Sequence, residues 1–168
     1  MEVAEVIAVL DRLAAVGLDF WVDGGWGVDA LVGEQTRPHG DLDIVVGAEG
    51  LGRAADALAA LDYAHDPAAR PGLPARLVLH AGARRQVDLH PVVLDRHGNG
   101  WQPLGDDVFG AYPADGLAAM GSIGVRRVRC LTADLQPRHH LGYPPDEADR
   151  HDVRLLARHF GVPLPPGW

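Results

Sequence analysis

The chain has 168 residues, 47% of them hydrophobic and 23% charged, and carries a formal net charge of −8. That length holds one domain with a sizeable core and excludes a second full domain, while the hydrophobic content excludes a disordered chain. The negative charge speaks against a sequence-independent grip on nucleic acid, which needs clustered Lys and Arg, and the single cysteine, Cys130, excludes an internal disulfide.

The first stretch, MEVAEVIAVLDRLAAVG, carries acids at 2, 5 and 11 and lacks the basic start of a signal peptide. Apolar residues at 3, 6, 7, 10, 13 and 14 predict an amphipathic helix ended by Gly17. Phe20 to Asp23 read as a strand, Gly24 and Gly25 as a tight turn, and residues 26–33 as a short helix closed by Gly33. DLDIVVG, 41–47, is a second strand, followed by an Ala-rich helix over 49–62 and a Pro/Gly-punctuated loop over 66–74.

ARLVLHA and RQVDLHPVVL, separated by GARR, have the form of a β-hairpin. Residues 95–122 are rich in Gly, Asp and Pro and show little periodicity, which assigns them to loop and short strand. VRRVRCL gives one more strand, with Cys130 a small buried hydrophobe in keeping with a reducing cytoplasm. From Thr132 two helical patterns follow, the second from about Glu147 to Phe160 with apolar positions 153, 155, 156 and 160. Nothing is long and apolar enough to span a membrane.

The chemistry concentrates in the second strand. Side chains alternate faces along a strand, so Asp41 and Asp43 point one way and Leu42 and Ile44 the other. Two carboxylates about 6.6 Å apart along one face destabilise each other unless a cation joins them. A divalent metal resolves the conflict, and Mg²⁺, which prefers one or two carboxylates with phosphate oxygens and water, makes a nucleoside triphosphate the natural third party. Glycines at 24, 25 and 27 let the backbone approach a ligand and open a helix N-terminus that attracts phosphate. A third strand carboxylate, Asp88, shares its face with Gln86 and His90. If its strand lies beside that of Asp41, it ligates metal or takes a proton from an attacking hydroxyl.

Gly-Gly, a short helix, Asp-x-Asp on the next strand and a later strand Asp together resemble the nucleotidyltransferase superfamily related to DNA polymerase β. The segments WVDGGWGVDAL, TRPHGDLDI, VDLHPV and HLGYPPDEADRHDVRLL are most similar to the small antibiotic nucleotidyltransferases of the lincosamide type, with the aminoglycoside 2''-type as neighbour. The resemblance implies an α+β fold: a mixed sheet flanked by helices, about 18–130, and a C-terminal helical part, about 131–162, in one domain over 1–168. It implies that Asp41 and Asp43 hold Mg²⁺, with Asp88 the third carboxylate and general base. Gly24 and Gly25 would pack against the triphosphate of ATP, Arg37 and His39 would contact phosphate, and His90 would orient Asp88. The implied reaction is transfer of AMP from ATP to a hydroxyl of a small antibiotic, most closely a lincosamide, with an aminoglycoside or a protein partner as the alternative acceptor. Neither nucleic acid nor membrane is an expected partner, a homodimer is compatible, and a cytoplasmic enzyme is expected.

Other marked residues read as structural. Trp21 and Trp26 suit the core, Asp29 a structural role and Asp23 the rim of the site. Asp149, His151 and Asp152 read as a solvated helix face, as do Arg138, His139 and His140, so no zinc site is expected.

Overall fold

The computed structural model describes residues 1–140, 144–166 and 168; the Leu141–Tyr143 part of the C-terminal motif lies outside the described residues. The first helix, α1 (Val3–Ala15), opens with a capping box between Glu2 and Glu5 and buries Val6, Val9, Leu10 and Leu13. Strand β1 (Phe20–Asp23) runs directly into α2 (Gly24–Val32), which ends at Gly33 in a left-handed conformation. The helix therefore starts two residues earlier than the sequence suggests. Asp23 caps it, accepting from the Gly24 N–H at 2.7 Å, so the glycine pair forms its first turn and is not a turn before it.

Strand β2 (Asp41–Gly47) leads through a 3₁₀ turn at Ala48–Gly50 into α3 (Leu51–Ala59). The strands β3 (Ala64–His65), β4 (Leu77–His80) and β5 (Gln86–Leu94) follow, with β4 and β5 forming the expected antiparallel hairpin. The segment that showed no periodicity contains three strands, β6 (Gly100–Gly105), β7 (Val108–Tyr112) and β8 (Ala119–Ile123), and β9 (Arg126–Cys130) closes the series. The first of the two expected C-terminal helices is a single 3₁₀ turn, Gln136–His140; the second is α4 (Glu147–Phe160).

Among the described residues the sheet runs β3-β4-β5-β2-β1-β9-β8, with β6 and β7 extending from β5. It is mixed: β2 and β5 are parallel, as are β1 and β9, and the other pairs are antiparallel. The fold is thus the expected α+β arrangement. Alternation sorts the sheet into two faces. Val22, Leu42, Ile44, Val46, Val87 and Leu89 pack against α1 and α3. Trp21, Val45 and Val92 pack on the other face with Tyr112, Leu117, Leu131 and Leu135. Both Trp21 and Trp26 are core residues, and Trp21 fixes its indole N–H on the Leu117 carbonyl at 2.7 Å. Helix α2 packs on α4 through Val28, Leu155 and Leu156. The acidic end of the second face is where the chemistry collects.

Candidate active site

Three aspartates form a row across three adjacent strands. Asp23 on β1 pairs in register with Asp43 on β2, and Asp43 pairs with Asp88 on β5. Neighbouring strands lie about 4.8 Å apart, and like charges placed directly opposite each other are destabilising. Each carboxylate accordingly has a partner from a different element. His139 Nδ1, from the 3₁₀ turn, bonds Asp23 Oδ2 at 2.9 Å; His90 Nε2 bonds Asp43 Oδ1 at 3.0 Å; and Arg76 bonds Asp88 Oδ2. Gln86 Nε2 donates to the other oxygen of Asp88 at 2.8 Å. Asp41, one turn of the pleat away on β2 and level with Gln86, is exposed at the mouth of the row.

The electrostatics follow from these partners. Burial and the neighbouring charge of Asp43 push the Asp88 carboxyl above its ordinary range, against the opposing pull of Gln86, Arg76 and His90. Partial removal from water, with Asp43 and Asp88 alongside, likewise raises Asp41. Asp23 goes the other way: burial would raise it, but His139, His90 and the Gly24 N–H together bring it below the usual carboxylate value.

The sequence puts Asp41, Asp43 and Asp88 on one face of their strands but carries no sign of most of their partners. His90 bonds Asp43, not Asp88 as its place in the motif implied. His139 is engaged with Asp23 and stacks edge-on against Tyr112, ring centroids 4.7 Å apart, instead of lying on a solvated face. Asp152 is fully buried, not solvated: Arg37 donates to it through Nε at 2.9 Å and Nη2 at 2.5 Å. His39 is buried too, its Nε2 bonded to Asp29 and its ring 4.6 Å from that of Trp26. Asp29 also accepts from the Thr36 hydroxyl at 2.6 Å, which makes it the structural residue expected. Arg37 and His39 thus each hold an internal partner and buttress the segment entering β2.

The two glycines answer to this packing. Gly24 has φ of 59°, and a Cβ there would overlap the Asp43 carboxylate. A Cβ on Gly25 would overlap the Arg37 and His39 side chains. Bare glycines thus bring the start of α2 against β2.

Beside the row lies a cleft of about 730 Å³ lined in part by Gly24, Asp43, Arg76, His90, Tyr112 and His139. Its size suits a small molecule or nucleotide. No three His, Cys, Asp or Glu side chains among the described residues are already gathered as a cation cage. The donor set nevertheless suits a hard cation: carboxylate oxygens of Asp41, Asp43 and Asp88 stand on neighbouring strands, two of them with raised pKa values that added positive charge would relieve. Mg²⁺ needs only one or two of these when phosphate and water complete its octahedron.

A capped Gly-Gly helix start is thus set against paired strand carboxylates on a mixed sheet. Residues 5–156 match the family model described as aminoglycoside-2''-adenylyltransferase, and the chain belongs to that family. A lincosamide resistance protein of Staphylococcus haemolyticus is 28% identical over 152 residues, covering 90% of this chain and 92% of that one. A lincomycin-bound lincosamide antibiotic adenylyltransferase superposes with a TM-score of 0.79 at 27% identity, covering 91% of this chain and 94% of the other. A 2''-aminoglycoside nucleotidyltransferase holding adenylyl-2''-tobramycin gives 0.71 at 20% identity, over 93% and 87%, a likeness of fold. No helix among the described residues is long and apolar enough to cross a membrane.

Proposed function

We propose that the chain transfers AMP from ATP to a hydroxyl of a lincosamide, with Mg²⁺, and releases pyrophosphate. The observation that carries this reading is the Asp23, Asp43 and Asp88 row at the edge of a cleft that also receives the N-terminus of α2. The near-complete mutual coverage with the lincosamide resistance protein supports the lincosamide. A concave cleft also favours a small acceptor over a protein surface.

In this reading Asp41 and Asp43, with Asp88 as the third carboxylate, hold Mg²⁺, which when bound neutralises phosphate charge and fixes its geometry. The backbone at Gly24 and Gly25 packs against the triphosphate, favoured by the positive end of α2. The acceptor oxygen attacks the α-phosphorus in line, the bond to the pyrophosphate oxygen breaks, and the hydroxyl proton passes to Asp88. Asp88 is fully buried beneath Arg76, so the acceptor reaches it by displacing that guanidinium. Positioning, more than covalent chemistry, supplies the rate.

The net charge of −8 favours a second acceptor class, the polycationic aminoglycosides, because long-range attraction raises their local concentration. Mass spectrometry of purified protein incubated with MgCl₂, ATP and a panel of both drug classes separates the readings. An AMP adduct on lincomycin or clindamycin alone is the expected result. Adducts on aminoglycosides alone transfer the assignment to that class, and no adduct on any of them refutes an antibiotic acceptor.

A further inference from the structure

The hairpin of β6 and β7, from the segment without a sequence signal, sends one buried amide into the site. Gln102 is 7% exposed. Its Nε2 lies 2.7 Å from the Ala75 carbonyl oxygen and 3.2 Å from His90 Nδ1, and its Oε1 accepts from the Tyr112 hydroxyl at 2.9 Å. A carbonyl oxygen can only accept, so the atom facing Ala75 is the NH₂ group, and the amide orientation is fixed by chemistry. The second hydrogen of that NH₂ then points at His90 Nδ1, which must accept it. The imidazole proton is thereby placed on Nε2, where it is donated to Asp43 Oδ1 at 3.0 Å.

The other N–H acts on the second carboxylate. Ala75 precedes Arg76, whose guanidinium bonds Asp88 and also donates to the Pro71 and Arg70 carbonyls at 3.1 and 3.2 Å. By holding Ala75, Gln102 sets where that guanidinium stands. Asp43 and Asp88 face each other in register, and a single side chain from a third strand reaches both, one through His90 and the other through Ala75 and Arg76.

We propose that Gln102 is the positioning residue of this site, fixing the His90 tautomer that orients Asp43 and the backbone that delivers Arg76 to Asp88, with Tyr112 locking its amide. The assignment of Asp43 and Asp88 to catalysis rests on the nucleotidyltransferase reading above; the tautomer does not. Positioning partners of this kind are worth about 10–100-fold in metal affinity or activity.

Long-range ¹H–¹⁵N correlation spectra of the whole protein at pH 8, without substrate, read the His90 ring directly. The expected pattern is protonation at Nε2 with Nδ1 bare, and in Gln102→Glu, whose carboxylate can only accept, protonation at Nδ1 as well. A wild-type ring protonated at Nδ1, or a ring unchanged in Gln102→Glu, overturns the proposal. Kinetics supply the second arm. Gln102→Glu should lower kcat about 10–100-fold with acceptor KM within about two-fold, and should weaken binding of Mn²⁺ alone. Tyr112→Phe, which keeps the packing, should show a smaller kcat loss in the same direction. Wild-type kcat and Mn²⁺ affinity in both variants would also overturn it. Were no acceptor found for the wild type, the spectra and Mn²⁺ binding would still decide the role of Gln102, so the two readings fail separately.

Discussion

Arg37 grips Asp152 with two parallel hydrogen bonds, at 2.9 and 2.5 Å, across 115 residues of sequence, and so ties α4 to the segment that enters β2. The pair is asymmetric. Asp152 is fully buried, whereas the Arg37 side chain keeps 24% of its exposure. Removing the arginine strands a buried carboxylate, which costs about 3–5 kcal/mol, while removing the acid lets the arginine turn to water. Arg37→Met should therefore lower the melting temperature by about 6–20 °C and Asp152→Asn by clearly less. Equal losses in thermal denaturation would contradict this account of the pair.

Gly24 stands where backbone conformation and active-site spacing meet. Its positive φ disfavours any L side chain by about 1 kcal/mol, and a Cβ would push into the Asp43 carboxylate. Gly24→Ala should remain folded, with a melting temperature within a few degrees of wild type, because the strain is local. Transfer should fall by at least about 10-fold, since the proposed metal-holding carboxylate, displaced by a fraction of an ångström, loses its geometry. Assaying both quantities on one preparation checks it, and wild-type kcat would remove Gly24 from the site.

What could be read from the sequence was whatever depends on neighbours along the chain. The facing of Asp41 and Asp43, the hairpin carrying Asp88, and the course of α4 all rest on period two or period 3.6. Gln102, Arg76 and His139 were illegible because their roles depend on register between strands and turns far apart in sequence. Arg76 falls within ARLVLHA, which reads only as a hairpin strand, and β6 and β7 lack apolar alternation because Trp101 and Phe109 stay exposed while Pro103 interrupts one strand and Gly110 the other. Asp152 misled for another reason: a charged residue on a polar helix face is ordinarily solvated, and the distant Arg37 makes its burial tolerable.

Asp41 should destabilise the metal-free protein near neutral pH. Partial burial and its neighbours Asp43 and Asp88 raise its folded pKa above the unfolded value of 3.8. The folded state then holds this proton to higher pH than the unfolded one, so the group's contribution is fully present below pH 3.8 and is lost as pH rises through the folded pKa. At pH 7 the charge is a net cost. Asp41→Asn removes it and should raise the melting temperature, by no more than about 2–4 °C because the side chain is solvent-screened. The same substitution should abolish the stabilisation that MgCl₂ with ATP gives the wild type. A lower melting temperature for the variant in metal-free buffer would show that the carboxylates do not repel.

His139 poses the opposite case. It is the first of the groups that lower the pKa of Asp23, against burial that would raise it. A depressed carboxylate contributes stability above its unfolded pKa and loses it as pH falls through the folded value, below 3.8. His139→Ala withdraws the hydrogen bond and the positive partner while burial remains, so Asp23 should titrate at higher pH. Acid unfolding, followed by circular dichroism from pH 7 downwards, should begin at higher pH in the variant. The loss should extend to α2, because Asp23 caps that helix through its other oxygen and a protonated cap binds the Gly24 N–H less well. Asp23→Asn, which keeps an accepting oxygen but no titration, should make the His139→Ala substitution nearly silent in the same acid titration; a full additional shift in the double variant would mean that His139 stabilises the fold through some other contact.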